Sequence, residues 1–456
     1  MESFLFKRIE LWIVLLIILI GAFISVLFGW SVRHYQLGNE KLGKFGEMAY
    51  NIASFPTNAK NVFKTVVLGR SEMAAESQRF QGESGFNFSY RPGERPDLGY
   101  LMLSRFDGDS RISVAELVDL DSQKIVYEWR FDVSPLWEMS TLHTQLTDLK
   151  VDLTTDRFRN FHSYLAPDGH VLTTSFSPLI KTDSCSNLSL LSDAALYHHS
   201  LEIDADGNFW FPLHIEPKTV LLGSDQFKDD GIAKLSPDGT VLFKKSLSRL
   251  FEENGLGYLL YGLADLFDDP IHLNDIQPVL EDGPFWKKGD LFLSLRHQSM
   301  IMLYRPDSDQ IIWYKAGPWV HQHDVDILDD HRIAVFNNNS KVVRKNEQVI
   351  ADSNNEIIYD FDTGRTSEPF RQAFHSLEIQ TIWEGRGEIL DSGDIFVEET
   401  ENGRVLQFNQ EAKIIWQFIN RASDNKLYLL SWSRLIPRSL GDKVLENAKR
   451  EKCNAH

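Results

Sequence analysis

A five-residue phrase returns along this chain. HSLEI stands at 199–203 and again, letter for letter, at 375–379. HLNDI at 272–276 and HDVDI at 323–327 fit the same template of a histidine, two residues, an acid and an isoleucine. Successive histidines of the template, His199, His272, His323 and His375, lie 73, 51 and 52 residues apart. After each comes a turn and an apolar strand (GNFWFPL, GDLFLSL, HRIAVFN, GDIFVEE), then a second hairpin such as GIAKLSPDGTVLFKKSL or MIMLYRPDSDQIIWYKA. Turns such as DADGN and SPDGT place Gly where the backbone needs a positive φ. FHSYLAPDGHVLTTSF at 161–176 opens a weaker unit, with His162 but no acid, and LVDLDSQKIVYEW at 117–129 reads as the outer half of another. About six units of four short strands at roughly 50 residues each are the signature of a β-propeller. An irregular sandwich would not repeat a five-residue motif. The expectation is an all-β, six-bladed β-propeller over 98–439, with LYLLSWSRLI at 427–436 completing the first blade and closing the ring.

The segments flanking the repeat have a different character. Residues 11–32, LWIVLLIILIGAFISVLFGWSV, carry no charge over a length that crosses a hydrocarbon core of about 30 Å as a helix. An uncleaved transmembrane anchor is expected there; a cleaved signal peptide is the rival, disfavoured by the long apolar run and by the lack of a small-x-small site after Trp30. Lys7 and Arg8 before the span nearly balance Arg33, Lys41 and Lys44 after it, so charge alone does not orient it. The division expected is a cytoplasmic N-terminus at 1–10, the anchor at 11–32, a partly helical juxtamembrane segment at 33–97, the propeller at 98–439 and a polar tail at 440–456. Against 47 Lys and Arg stand 65 Asp and Glu, a net charge of −18, which argues against nucleic acid or anionic lipid as the main partner. Two cysteines, Cys185 and Cys453, exclude a disulfide scaffold and a zinc site of three or four thiolates, and leave open whether they pair.

The innermost strand of each propeller blade lines the central channel, so equivalent positions point at one axis. If the template opens the innermost strand, His199, His272, His323 and His375 converge on one channel mouth. Clustered imidazoles suit metal binding, nucleophilic catalysis with a second His as acid or base, or anion binding when a cation joins them. Arg296 in LSLRHQS at 293–299 supplies that cation, and Asn274 can donate to the same oxygens. In the bland alternative each histidine bonds a neighbouring blade and the acid satisfies a turn.

The run HLNDI, then LFLSLRHQSMIMLYRPDSDQIIWY, then WVHQHDVDILDDHRIAVFNN, resembles the arylsulfotransferase family, the aryl-sulfate-dependent type that needs no nucleotide sulfate donor. The likeness is best over about 195–420, and its most specific part is the RHQS … W … QHD run. It implies a six-bladed propeller outside the cytoplasm with the active site at the central channel. Carried over by motif, the family's His-x-Asn pair falls on His272 and Asn274, its Arg on Arg296, its Gln-His nucleophile on Gln322 and His323, and an upstream channel histidine on His199. His321 and His375 are further channel candidates. The resemblance implies transfer of a sulfuryl group from an aryl sulfate to a phenol through a sulfo-histidine, with no metal and no cofactor. Leu295 replaces the family's usual Ser, the stretch from Arg296 to His323 is short, and the anchor replaces a cleaved signal. The alternative is a non-catalytic propeller serving as an interaction platform in a membrane complex.

Overall fold

The computed structural model describes residues 10–36, 42–53, 55, 73–75, 77–142, 154–220, 227–261, 268–344, 347–350 and 352–450. It divides into two compact units, residues 1–71 and 72–456. In the first, Leu11–Gln36 is one helix, long and apolar enough to cross a membrane. Its two serines are satisfied from within, Ser25 Oγ donating to Gly21 O at 2.9 Å and Ser31 Oγ to Leu27 O at 2.8 Å. Neither serine hydroxyl therefore needs water along the apolar stretch. A further helical stretch covers 43–53.

The second unit is an all-β, propeller-like fold of antiparallel meanders. The first sheet runs Tyr100–Asp107, Ile112–Asp119 and Lys124–Arg130, and the late strand Arg434–Ile436 pairs onto its inner edge with Met102 opposite Arg434. An eight-stranded sheet follows. It joins the meander Phe161–Leu165, Val171–Thr174, Ser177–Thr182, Leu188–Tyr197 to the meander Phe209–His214, Asp230–Leu235, Val241–Ser246, with Glu202–Ile203 paired on Phe209–His214. The link between the two is narrow, Leu213 opposite Tyr197 and His214 opposite Leu196. Next come Leu273–Pro278, Leu291–Leu295, Met300–Arg305, Gln310–Ala316, and then Val325–Ile327, Arg332–Asn337, Asn355–Asp360, Arg365–Ser367. The last sheet is Arg386–Ile389, Ile395–Glu399, Arg404–Phe408, Ile414–Ile419, to whose outer edge Gly85–Phe88 adds from upstream of the repeat.

Burial explains the strand sequences. Middle strands such as Leu291–Leu295 and Leu103-containing Tyr100–Asp107 are covered on both faces and read as nearly continuous apolar runs, whereas outer strands such as Gln310–Ala316 alternate. The apolar cores lie between consecutive sheets. Met102 and Ala115 pack with Val171 and Ile180, Phe209 and Phe211 with Leu172 and Leu179, and Trp210 with Leu291 and Met302. Phe292 and Leu303 pack with Val335 and Tyr359, Phe336 with Val397 and Leu406, and Phe396 and Trp416 return to Leu101 and Leu103 of the first sheet. Consecutive sheets thus share apolar cores, to which short helices add residues such as Leu250 and Phe374, and the series closes on itself. The SPDGT turn shows why glycine is needed: Gly239 sits at φ +86, and a Cβ there would lie 2.3 Å from Leu191 O. Helix Arg438–Arg450 ends the described chain; its Val444 joins the core of the first sheet, and Asp442 accepts a 2.6 Å hydrogen bond from Tyr100 Oη.

Candidate active site

The innermost strands are entered through a repeated backbone device. His162 (φ 44), His199 (φ 51), His272 (φ 54), His321 (φ 53), Glu384 (φ 56) and Trp432 (φ 72) all adopt the left-handed conformation at the head of an innermost strand. A non-glycine residue there costs about 1–2 kcal/mol, and such strain gathers where side chains must be aimed. Side-chain bonds then tie one strand head to the next: Ser200 Oγ accepts from Ile276 N at 3.0 Å, Asn274 Nδ2 donates to Gln322 O at 2.9 Å, and Asp275 Oδ2 accepts from Val325 N at 3.2 Å.

This device brings most of the expected side chains into one rim. The His199 and His272 rings meet edge to face with centroids 5.1 Å apart, His272 and His297 are 4.5 Å apart, and His297 and His321 6.3 Å apart. His162 stacks on Trp432 at 3.7 Å. Arg296 is 5% exposed, donating to Gln348 Oε1 at 2.9 Å and lying 2.8 Å from His297 Nε2. The other buried arginines are paired with acids: Arg159 with Glu384 at 2.6 Å, Arg386 with Glu388 at 3.0 Å, and Arg404 with Glu399. Arg296 alone of these has no carboxylate partner among the described residues. Burial lowers its pKa to about 10, which leaves it a cation at neutral pH. Burial, followed by neighbouring imidazoles or Arg296, pushes His199, His297, His321 and His323 below the usual imidazole range, and burial with Arg434 does the same to His162. The rim thus sets the neutral imidazoles of His162, His199, His297, His321 and His323 around one unpaired guanidinium.

The hydrogen bonds separate open imidazoles from closed ones. His272 Nδ1 lies 2.7 Å from Asp269 Oδ2, and Asp269 also holds Lys228 Nζ at 3.2 Å. Burial would raise the Asp269 pKa, but His272 and Lys228 outweigh it and keep the group a carboxylate. His321 Nδ1 donates to Ser340 O at 2.7 Å. The Nε2 atoms of His272 and His321 have no hydrogen-bond partner among the described residues. His323 is closed on both sides. Its Nδ1 donates to Asn338 Oδ1 at 2.7 Å, since the Asn338 amide nitrogen is itself engaged by Thr381 O and Glu384 O, and its Nε2 accepts from Glu384 N at 2.9 Å. Gln322 is buried and braces the fold by donating to Met300 O at 3.0 Å and Leu295 O at 3.2 Å. Asn274 spends its amide on Gln322 O and so joins two sheets.

His375 is not brought to the rim. It lies in the short helix Arg371–Ser376, its side chain 61% exposed and 2.7 Å from Asp352. The strand head of that sheet is Glu384, so HSLEI at 375–379 falls on a helix end and not on a strand. The left-handed position shared by His199 and His272 is likewise filled by His321, two residues before the template's His323. Asp269, His297, Arg159, Glu384 and Trp432 were not singled out in the sequence. Asp269 and His297 adjoin His272 and Arg296, whereas Glu384 and Trp432 fill the strand-head position with other residue types and give the template no signal.

Asp269, His272 and His297 offer three metal-ligand atoms within 4.8 Å of one another, but His272 and His297 already use Nδ1 on Asp269 itself. Cys185 is not a free thiol, and Cys453 lies outside the described residues.

Similar solved structures include a protein of unknown function from Bacteroides caccae, 12% identical, covering 74% of this chain and 98% of that one with a TM-score of 0.45. Others are a streptogramin B lyase, 10% identical over 77% of this chain and 98% of that one (TM-score 0.37), and a virginiamycin B lyase from Staphylococcus aureus, 12% identical over 56% and 69% (TM-score 0.32). No curated protein matches the sequence. The arylsulfotransferase (ASST) family model matches residues 181–421, more than half of the 456, and spans His199, His272, Arg296 and His321: the chain belongs to the arylsulfotransferase family.

Proposed function

We propose that this protein is an aryl-sulfate sulfotransferase, a six-bladed propeller held by Leu11–Gln36 at the outer face of a membrane, with phenols as acceptors. The blade count follows from dividing the eight-stranded sheet at its narrow link, which gives one four-stranded meander per left-handed strand head. The bond at Cys185 fits an oxidising compartment.

The observation that carries the catalytic reading is Arg296, a buried guanidinium with no acid, among neutral imidazoles. A buried charge is costly unless paired, and a planar fork is suited to the oxygens of a sulfate ester. His321 is the nucleophile in this reading. Donation from Nδ1 to Ser340 O leaves the lone pair on Nε2, and Ser340 Oγ lies 3.3 Å from Gln348 Oε1, the atom that also holds Arg296. The His321 Nε2–S bond forms as the S–O(aryl) bond breaks, and Arg296 neutralises the sulfuryl oxygens. His272, whose imidazolium Asp269 would stabilise, gives its proton to the departing phenolate oxygen. A second phenol then returns a proton to His272 and takes the sulfuryl group from His321. His323, with both nitrogens bonded, is a positioning residue here and not the nucleophile.

The test is turnover of a chromogenic aryl sulfate with a phenol acceptor by the full-length protein. His321→Ala is expected to lose at least about 10³-fold in kcat, and His323→Gln about 10-fold or less. Equal loss in both, or full turnover by His321→Ala, refutes the assignment. No turnover by the wild type over a panel of aryl sulfates would favour the anchored, non-catalytic platform.

A further inference from the structure

One layer behind the rim, three donor atoms converge that sulfuryl transfer does not use. His214 ends the strand Phe209–His214, Asp230 begins Asp230–Leu235, and the two are direct cross-strand partners. His198 N donates to Pro212 O at 3.2 Å, which lays His198 against the same place. All three residues are buried, at 1%, 5% and 1% exposure for His198, His214 and Asp230. The two rings are 4.2 Å apart between centroids. Asp230 Oδ1 lies 2.9 Å from His214 Nδ1 and 3.5 Å from His198 Nε2, and the three atoms fall within 4.8 Å of one another. None of these three atoms makes a directed hydrogen bond. Proximity without alignment is not a hydrogen bond, and an unsatisfied buried polar atom costs about 1–3 kcal/mol.

The atoms on the far sides of two of these groups are well bonded. Asp230 Oδ2 accepts from Leu273 N at 2.9 Å, and His198 Nδ1 is 2.8 Å from His199 Nδ1. Groups oriented from behind, with their remaining donor atoms turned to a common point, are the pattern of metal ligands and their supports. At metal–ligand distances of about 2.0–2.2 Å, tetrahedral ligand atoms stand about 3.3–3.6 Å apart; the 3.5 Å from Asp230 to His198 matches that, and the 2.9 Å from Asp230 to His214 has to open by a few tenths of an ångström to admit an ion. Two imidazoles and one carboxylate favour a first-row transition ion over Ca²⁺ or Mg²⁺, which seek oxygen ligands.

We infer that His198 Nε2, His214 Nδ1 and Asp230 Oδ1 form a binding site for one divalent transition-metal ion, zinc in type. A bound ion also fixes the rim: with Nε2 of His198 on the metal, the proton of His198 sits on Nδ1 and is donated to His199 Nδ1, and His199 carries its own proton on Nε2. His199 is then a hydrogen-bond donor to an anionic oxygen. That consequence rests on the sulfuryl-transfer reading; the site itself does not, and its test needs no turnover.

Full-length protein in detergent is stripped with a chelator and titrated with Zn²⁺ or Co²⁺ alone. One ion per chain at micromolar affinity or tighter is expected, with visible Co²⁺ bands of a four- or five-coordinate site. His214→Gln and Asp230→Asn should each weaken binding at least 100-fold, and His297→Ala and His331→Ala should leave it intact. Absence of stoichiometric binding by the wild type overturns the site whatever the variants do. So does an ion retained by both His214→Gln and Asp230→Asn, or one lost on changing His297, which would move it to the Asp269 cluster, or His331, which would move it to the surface.

Discussion

The strand heads and the strand interiors of this propeller-like body carry opposite electrostatic problems. At the rim, Arg296 is a cation without an acid. Three to five residues beyond the strand heads, acids crowd together in a belt: Glu202, Asp275, Asp324, Asp326 and Glu388, with Glu356 from the next strand; Arg386 and Arg434 are the cations among them. Burial, then neighbouring acids, push Asp275 up to about 7; burial pushes Asp324 up to about 8 despite Arg386 at 3.4 Å, with Asp275 and Glu202 adding to the rise. Arg296 follows Leu291–Leu295, the second strand of its sheet, whereas most of these acids sit on innermost strands, so the change from unpaired cation to crowded acids runs from the rim into the strands behind it. An anion is therefore welcomed at the rim, while Asp324, Asp326 and Glu356 beyond it keep their protons at neutral pH.

The largest test of this contrast substitutes the two arginines. Arg296→Gln removes a cation that no acid depends on, so the fold should persist while kcat/KM for an aryl sulfate drops about 10²–10³-fold. Arg386→Gln strips the charge partner from Asp324 and Glu388 and should cost about 3–5 kcal/mol of stability, read by thermal or denaturant unfolding. Two variants with the same phenotype would dissolve the distinction between rim and belt.

A smaller effect is expected from the belt's own protons. In the unfolded chain Asp275 and Asp324 titrate near the ordinary Asp value, whereas folded they titrate near 7 and 8. Between about pH 4 and pH 8 the native state thus holds protons that the unfolded state has released, and stability falls as pH rises through that window. Asp324→Asn should flatten this slope and raise stability by about 1–3 kcal/mol at pH 9 with little change at pH 5. A wild type equally stable at both pH values would show that the belt is charged and hydrated.

Much of this contrast was legible in the sequence, and the reasons for the misses are local. Period-two alternation and glycine turns marked the meanders, and LYLLSWSRLI contains the strand Arg434–Ile436 that pairs back onto Tyr100–Asp107. The His-x-x-acid template found His199 with Glu202 and His272 with Asp275 because a strand head and a belt acid stand at that spacing. It slipped at His323 because a shift of two residues keeps every side chain on the same face of a strand, so alternation cannot detect it. It failed at His375 because five identical letters do not fix the backbone: there the left-handed residue is Glu378, and His375 closes a helix that opens at Arg371. Whether an imidazole is open or closed depends on partners such as Asn338 and Ser340, which lie 15 and 19 residues from His323 and His321 in the chain.

The subtlest prediction concerns the acid that stands at a strand head. Glu384 holds Arg159 through both carboxylate oxygens, at 2.9 and 2.6 Å, and its backbone N–H closes His323. Replacing it by Gln keeps the backbone donor and most of the side-chain volume but removes the negative charge. Arg159 is also held by Leu430 O at 2.7 Å and lies over the Phe161 ring at 4.3 Å, so it should stay in place. The rim then carries two uncompensated guanidinium groups, and binding of an anionic ester improves while the nucleophile, Arg296 and the leaving-group acid are untouched. Glu384→Gln is expected to lower KM for aryl sulfates about 2- to 5-fold with kcat nearly constant, at a stability cost of about 1 kcal/mol for the lost partly buried pair. The KM change should shrink at high salt, since it is electrostatic. A fall in kcat with KM unchanged would instead mean that Glu384 works through His323, and the closed histidine would have to be counted among the groups that shape the transition state.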